Sequence, residues 1–249
     1  MPLHRTYKLH DDKVLWPEHK SLEEVLALKA TTPPNVWATT YQGDATNPAG
    51  TIFQREWWQG KNRFRSTILS PCVARWISGD TGLNDTNSSA KSALVVGELL
   101  DDYRLRIVDV WAEAVQFPQL VSKTRDWMVR YNQDGKLHVA VIERKVSGIS
   151  LIQTLQQSIG DDLSSLVVGF DPKVSKETRY QQASVWCSLG CVLIPDPATE
   201  FPWLFDFETD LYECPNIRFL DVMDAFSQLI IYTEHLLSSG YEGRKGRHA

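Results

Sequence analysis

No stretch of this 249-residue chain reaches the run of about eighteen apolar residues that a membrane-spanning helix requires. The opening Met-Pro-Leu-His-Arg-Thr has no apolar segment behind it, which speaks against a secretory signal. Cysteine is scarce. Cys72, Cys187, Cys191 and Cys214 form no Cys-x-x-Cys pair and no zinc-like spacing with histidine, so a disulfide framework is not expected and a reducing host cytoplasm fits best. Gly-x-Ser-x-Gly and His-Glu-x-x-His are both absent, which removes the usual serine-hydrolase and zinc-protease signatures. The phosphate-binding Gly-x-x-x-x-Gly-Lys-Ser/Thr is absent too, so the chain alone is not expected to hydrolyse ATP. The six histidines are scattered and none forms a recognisable ligand pair. There is no internal repeat and no low-complexity tract.

A basic excess is also lacking, since the net charge is −5, but the charge is unevenly spread. Asp196 to Asp224 holds eight acidic residues and one basic residue, a net of −7 that leaves the rest of the chain at about +2. Positive clusters stand at Arg55/Lys61/Arg63/Arg65, at Arg144-Lys145, at Lys173/Lys176/Arg179 and at Arg244-Lys245/Arg247. Such a balance permits contact with nucleic acid without demanding it. At 43% hydrophobic and 23% charged residues, the composition is that of one sizeable globular domain with room for an appendage.

Residues 1–70 differ from the rest and read as a connecting arm packed on a domain of residues 71–249. Ser21 followed by Glu24 is a capping box that opens a short helix, and Thr31-Thr-Pro-Pro stops it. Gln42 to Gly50 is turn-rich, and Trp57-Trp58 is expected to pin the arm. Beyond residue 71 the pattern is regular. Strands are predicted at 73–78, 92–100, 105–111, 137–142 and 165–170, with a short extended run at 191–194. Helices are predicted at 117–131, 150–159, 176–189 and 221–237. The Asp101-Asp-Tyr-Arg104 turn suits a hairpin. Three strands in a meander, then alternating helices and strands, imply a mixed five-stranded sheet flanked by helices. This is the order of the RNase H-like fold, in which the first and fourth strands lie side by side.

Acidic residues occupy telling places in that plan. Asp80 ends the run from Val73, Glu143 ends Leu137-His-Val-Ala-Val-Ile, and Asp221 and Asp224 open the last helix. Each has an ordinary reading: a turn at Gly79-Asp-Thr-Gly82, pairing of Glu143 with Arg144 or Lys145, and favourable charge at a helix start. Asp85 reads as a turn residue. The Asp80-Thr-Gly triplet also matches the aspartic-protease signature, but that chemistry needs two such aspartates and the triplet occurs once. Carboxylates brought together from strand and helix ends repel one another unless a cation lies between them, and hard divalent ions choose such oxygen clusters.

The wider sequence resembles the nuclease domain of the large terminase subunit of tailed bacteriophages. The likeness runs along Leu15-Trp-Pro-Glu-His-Lys-Ser-Leu-Glu-Glu, Gly50-Thr-Ile-Phe-Gln-Arg-Glu-Trp-Trp, Ser78-Gly-Asp80 and Val108-Asp-Val-Trp. It is most specific in Val141-Ile-Glu-Arg-Lys-Val-Ser-Gly-Ile-Ser-Leu-Ile-Gln-Thr-Leu. Leu220-Asp221-Val-Met-Asp224-Ala is similar to the family's last acidic motif but has leucine at its first acidic place, which leaves the choice between Asp221 and Asp224 open. The resemblance implies an endonuclease that cuts concatemeric double-stranded viral DNA during packaging. Its implied partners are a portal protein, a small terminase subunit and an ATPase motor domain that this chain lacks. Two Mg²⁺ or Mn²⁺ ions held by Asp80, Glu143, Asp221 and Asp224 are the expected cofactors. Lys145, Lys173, Lys176 and Arg179 are the expected phosphate contacts. Two other readings stay open at this stage: a resolvase-like nuclease of the same fold acting on branched DNA, and a non-catalytic module that docks on a portal or motor.

Overall fold

Near-continuous apolar runs build the centre of the molecule. In the computed structural model, which describes residues 9–10, 13–33, 36–42, 52–65, 71–82, 91–199 and 201–239, neighbouring residues of each central strand face opposite layers. The turn-rich stretch 43–50, Asp85 and the basic tail 244–247 lie outside the described residues.

Leu9–His10 (β1) and Lys13–Val14 (β2) pair antiparallel, and Leu22–Thr31 (α1) follows. The capping box forms as predicted: Glu24 N–H donates to the Ser21 hydroxyl at 3.2 Å, and the Ser21 N–H donates back to Glu24 at 2.9 Å. Val14, Val25 and Trp37 make a small cluster of their own. Ile52, Phe53 and Trp58 instead join the main core, and the Trp58 indole N–H donates to the Val192 carbonyl at 3.0 Å. Trp58 is thus buried in the main core, with Trp57 partly buried against it.

Among the described residues, the main sheet has seven strands. Arg63–Phe64 (β3) precedes the meander Cys72–Asp80 (β4), Ser92–Leu100 (β5) and Leu105–Glu113 (β6). Then come Phe117–Tyr131 (α2), Leu137–Glu143 (β7), Val146–Ser158 (α3), the single turn Asp161–Ser164 (α4) and Val167–Phe170 (β8). Lys176–Ser188 (α5), Val192–Pro195 (β9), Leu204–Glu213 (α6) and Asp221–Ser238 (α7) complete the described elements. The order across the sheet is β3-β9-β6-β5-β4-β7-β8. The meander is antiparallel, while β4/β7, β7/β8, β6/β9 and β3/β9 are parallel. The five predicted strands are all present, and β9 and β3 extend the sheet beyond them at the β6 edge. Two residues of β3 are too few to show any periodicity. The helix α6 was not anticipated either. Its apolar stripe Leu204, Phe207, Leu211 and Tyr212 has helical spacing, but it lies within the strongly acidic stretch.

Trp76 and Val95 face α5, α6 and α7, whereas Ile77, Leu94 and Val96 face α2 and α3. Both faces of β4 and β5 are therefore covered, which is why these strands read as near-continuous apolar runs. Inside the first layer, Gln228 of α7 donates from Nε2 to Ser78 Oγ at 3.0 Å and to the Val141 carbonyl at 3.1 Å, tying the helix across β4 and β7. Among the described residues, no helix is long and apolar enough to cross a membrane.

Candidate functional site

Parallel pairing sets the site. Gly79 of β4 lies opposite Ile142 of β7, so Asp80 and Glu143 leave the two strands at the same edge of the sheet. Gly148 lets α3 start hard against that edge. A Cβ there would lie 2.0 Å from the Glu143 carbonyl oxygen, so only glycine permits the approach. Ser147 fastens the same turn, donating to the Thr81 carbonyl at 2.9 Å, and its Oγ lies 2.7 Å from the Thr81 hydroxyl. From the other side, α7 lays Asp224 into the same place. Asp80, Glu143 and Asp224 are buried to 2%, 4% and 0% exposure, a costly position for carboxylates unless each has a partner.

The partners are cations from α5 and from the turn after β7. Lys145 Nζ donates to Asp80 Oδ1 at 2.8 Å and lies 3.2 Å from Glu143 Oε2. Arg179 spans Glu143 Oε2 and Asp224 Oδ1 at 3.5 Å each. Lys176 pairs with Asp224 Oδ2, and the Tyr180 hydroxyl donates to Asp224 Oδ1 at 2.8 Å. Burial raises the Asp224 carboxyl above its ordinary range; Lys176 opposes the rise and Asp80 adds to it. Burial and then the charge of Asp80 raise Asp221 as well. For Lys145, burial acts to lower the ammonium, but Asp80, Glu143 and Asp224 outweigh it and the net shift is upward. Burial, with the Asp224 charge beside it, pushes the Tyr180 hydroxyl far above its usual range.

The structure thus gathers Asp80, Glu143 and Asp224, with Asp221 half-buried at the rim one helical turn before Asp224. Lys145 and Lys176 stand among them. Lys173 is exposed on the loop before α5 and takes no part in the network. Arg179, expected to meet phosphate, is buried beneath the carboxylates instead, because its face of α5 packs against α7. Tyr180 and Gln228 were not singled out from the sequence. Gln228 follows Asp224 by four residues and so shares its helix face, a spacing that could have flagged it.

The donor set suits a hard divalent ion, being carboxylate oxygens, of which Glu143 Oε2 is buried without a well-aligned hydrogen bond. Yet among the described residues no three acidic, histidine or cysteine side chains close into a metal cage by themselves. Lysine and arginine nitrogens stand between the oxygens. A cavity of about 380 Å³ lined by Trp111, Trp127, Tyr131 and Trp203 contains none of the four acids.

No family model matches this chain, and no curated protein matches it. Solved structures do. The large terminase of a thermophilic bacteriophage aligns with a TM-score of 0.57 at 10% identity, over 84% of this chain and 54% of that one. The same terminase in complex with ADP aligns at TM-score 0.55 and 10% identity, over 90% and 59%. The human cytomegalovirus terminase nuclease domain aligns at TM-score 0.49 and 10% identity, over 72% and 94%. This chain spans little more than half the length of the phage terminase it matches. At such identity the likeness is one of backbone architecture alone, a mixed sheet flanked by helices with the RNase H-like strand order.

Proposed function

We propose that this chain is a divalent-metal-dependent endonuclease that cuts double-stranded DNA by phosphodiester hydrolysis. The observation that supports it most is the convergence of Asp80, Glu143 and Asp224 from two neighbouring parallel strand ends and a helix start, on shared cations, at one edge of the sheet. Asp80, Glu143 and Asp224 would hold the ions, with Asp221 reaching in from the rim. Two Mg²⁺ or Mn²⁺ ions bound there would supply an acidified water and charge stabilisation for the departing 3′-oxygen. Arg179 and Tyr180 fix Asp224 from below and Gln228 braces the two strands, so the carboxylates are presented by rigid elements. Lys145 and Lys176 beside the acids, and the exposed Lys173 before α5, would contact phosphates, which would make binding salt-dependent and largely indifferent to sequence.

By likeness to the phage terminase, the substrate in its setting is concatemeric viral DNA in the host cytoplasm. An ATPase motor domain, a portal protein and a small terminase subunit would act beside it. The first 70 residues would then serve as the arm towards the motor, with residues 52–65 anchored in the nuclease core and residues 71–249 forming the domain that cuts.

Supercoiled plasmid incubated with Mg²⁺, Mn²⁺ or EDTA tests the reading, with wild type beside Asp80→Asn. Metal-dependent nicking and linearisation, lost in the variant although it remains folded, is the expected result. Cutting that persists in Asp80→Asn at the wild-type rate would refute the assignment.

A further inference from the structure

The cations in the site are of two kinds. Arg179 is 2% exposed and closed in by α5 and α7, so it cannot leave without unpacking the layer. Lys145 and Lys176 have side chains 38% and 46% exposed, and they enter from the solvent side. Each is a compact point charge on a flexible stem that can swing away, which a buried guanidinium cannot do. Lys145 reaches oxygens of both Asp80 and Glu143, two of the acids that would hold an ion. Lys176 occupies Asp224 Oδ2 in the same manner, leaving Oδ1 to Tyr180 and Arg179.

We infer that Lys145 and Lys176 are internal counter-ions that hold the carboxylates in place of divalent metal and must be displaced before metal can bind. The inference rests on the nuclease reading of the site and concerns its regulation. A carboxylate oxygen committed to an ammonium is not available to an ion of the same sign, so an ion that takes Asp80 Oδ1 or Asp224 Oδ2 has to exchange with a lysine. The displaced ammonium then lies at the mouth of the site, where a phosphate oxygen is its best new partner. DNA capturing the lysines and metal capturing the carboxylates are therefore coupled steps, and each must strengthen the other by the same factor. The device keeps three buried acids neutralised in the absence of DNA and reserves metal loading for the DNA-bound state.

Metal binding without DNA separates this exchange from the ordinary gain that an ion makes by taking phosphate oxygens as ligands. Mn²⁺ affinity of the full chain is measured by calorimetry and by electron paramagnetic resonance for wild type, Lys145→Met, Lys176→Met and Lys145→Arg. Each methionine variant is expected to bind Mn²⁺ at least tenfold more tightly than wild type, and Lys145→Arg no more tightly. Mn²⁺ binding with the same affinity in wild type and in folded methionine variants overturns the inference and leaves the nuclease reading standing. No Mn²⁺ bound by the folded methionine variants overturns the inference as well, and the nuclease reading is then decided by the plasmid assay. Should the methionine variants fail to fold, wild type decides the matter through lysine acetylation rates followed by mass spectrometry at fixed pH. Mg²⁺ is expected to speed modification of Lys145 and Lys176 several-fold while leaving the exposed Lys13 and Lys29 unchanged. Rates at Lys145 and Lys176 that do not respond to Mg²⁺, with metal binding shown in parallel, overturn it.

Discussion

Replacing Gly148 by alanine tests the packing that places Glu143. In an exposed helix the change would be favourable, since alanine exceeds glycine in helix propensity by about 1 kcal/mol. Here the new Cβ falls 2.0 Å from the carbonyl oxygen of Glu143 and 3.4 Å from Ile142 Cγ2. A carbon and an oxygen in ordinary contact are separated by roughly 3.2–3.5 Å, so the overlap exceeds 1 Å and involves backbone on one side. The strand cannot yield, because β7 is paired on both edges, with β4 and β8. The first turn of α3 has to withdraw, and Ser147 then loses its contacts with Thr81, at 2.9 and 2.7 Å. Overpacking costs about 1–3 kcal/mol, and two buried hydrogen bonds add roughly 1 kcal/mol each. Set against the propensity gain, the net loss is about 2–4 kcal/mol, which for a domain of this size lowers the melting temperature by roughly 5–15 °C. Thermal denaturation followed by circular dichroism reads this directly. A melting temperature equal to or above that of wild type would refute the close approach of α3 to β7, because the two effects differ in sign. The same displacement pulls Lys145, which caps the first turn of α3, away from Asp80 and Glu143 while Glu143 stays in its strand.

Two further outcomes follow from charges elsewhere in the fold. Glu98 is buried and bonds Arg75 at 2.6 Å and Arg106 at 2.5 Å, so Glu98→Ala removes a buried carboxylate that two guanidiniums share, although Arg75 keeps Asp134 and the Tyr131 carbonyl; the loss should be about 3 kcal/mol in chemical denaturation, and a loss below roughly 1 kcal/mol would show the ion pairs to be dispensable. Burial pushes the Asp210 carboxyl up to about 6; Lys91 opposes the rise, and Asp206, Glu213 and Asp221 add to it. The folded state therefore holds that proton more tightly than the unfolded chain does, and the ionised carboxylate costs stability above about pH 6, a cost that vanishes as the pH falls below about 4. Asp210→Asn should accordingly stabilise the protein by about 1 kcal/mol at pH 8, after allowance for solvent screening of a partly exposed group, and by nothing at pH 4. An equal effect at both pH values would contradict the assignment.

Much of the sheet was legible because its strands are either fully covered or tightly turned. Val73 to Ser78 and Leu137 to Ile142 are short, mostly apolar runs of the kind a largely covered strand uses, and the Asp101-Asp-Tyr-Arg turn joins β5 and β6 directly. What escaped was whatever lacked a local signal. Arg63–Phe64 becomes a strand only because Pro195 and Ile194 lie beside it, some 130 positions away. In α6, charge obscured the stripe formed by Leu204, Phe207, Leu211 and Tyr212. Helix α1 was legible through a different channel, local capping, since Ser21 and Glu24 need only each other, whereas the two-residue strands before it carry no such signal.

The acids and the bases of the site were unequally legible for a related reason. Asp80 and Glu143 announce themselves by ending apolar runs, and parallel pairing does the rest. The sequence shows only that Lys145, Lys176 and Arg179 are positive; whether such a residue meets solvent or a buried carboxylate depends on contacts such as the one between Lys176 and Asp224, 48 positions apart. The choice between Asp221 and Asp224 turns on the rotation of α7. Gln228 is buried against Ser78 and Val141, and a residue four positions earlier lies on the same face one turn up the helix. That residue is Asp224, which is fully buried and bonded by Lys176, Arg179 and Tyr180, while Asp221 is turned towards the rim. The helix face that anchors the two strands is thus the face that delivers the innermost carboxylate, so the rigidity of the sheet and the position of Asp224 have a common origin.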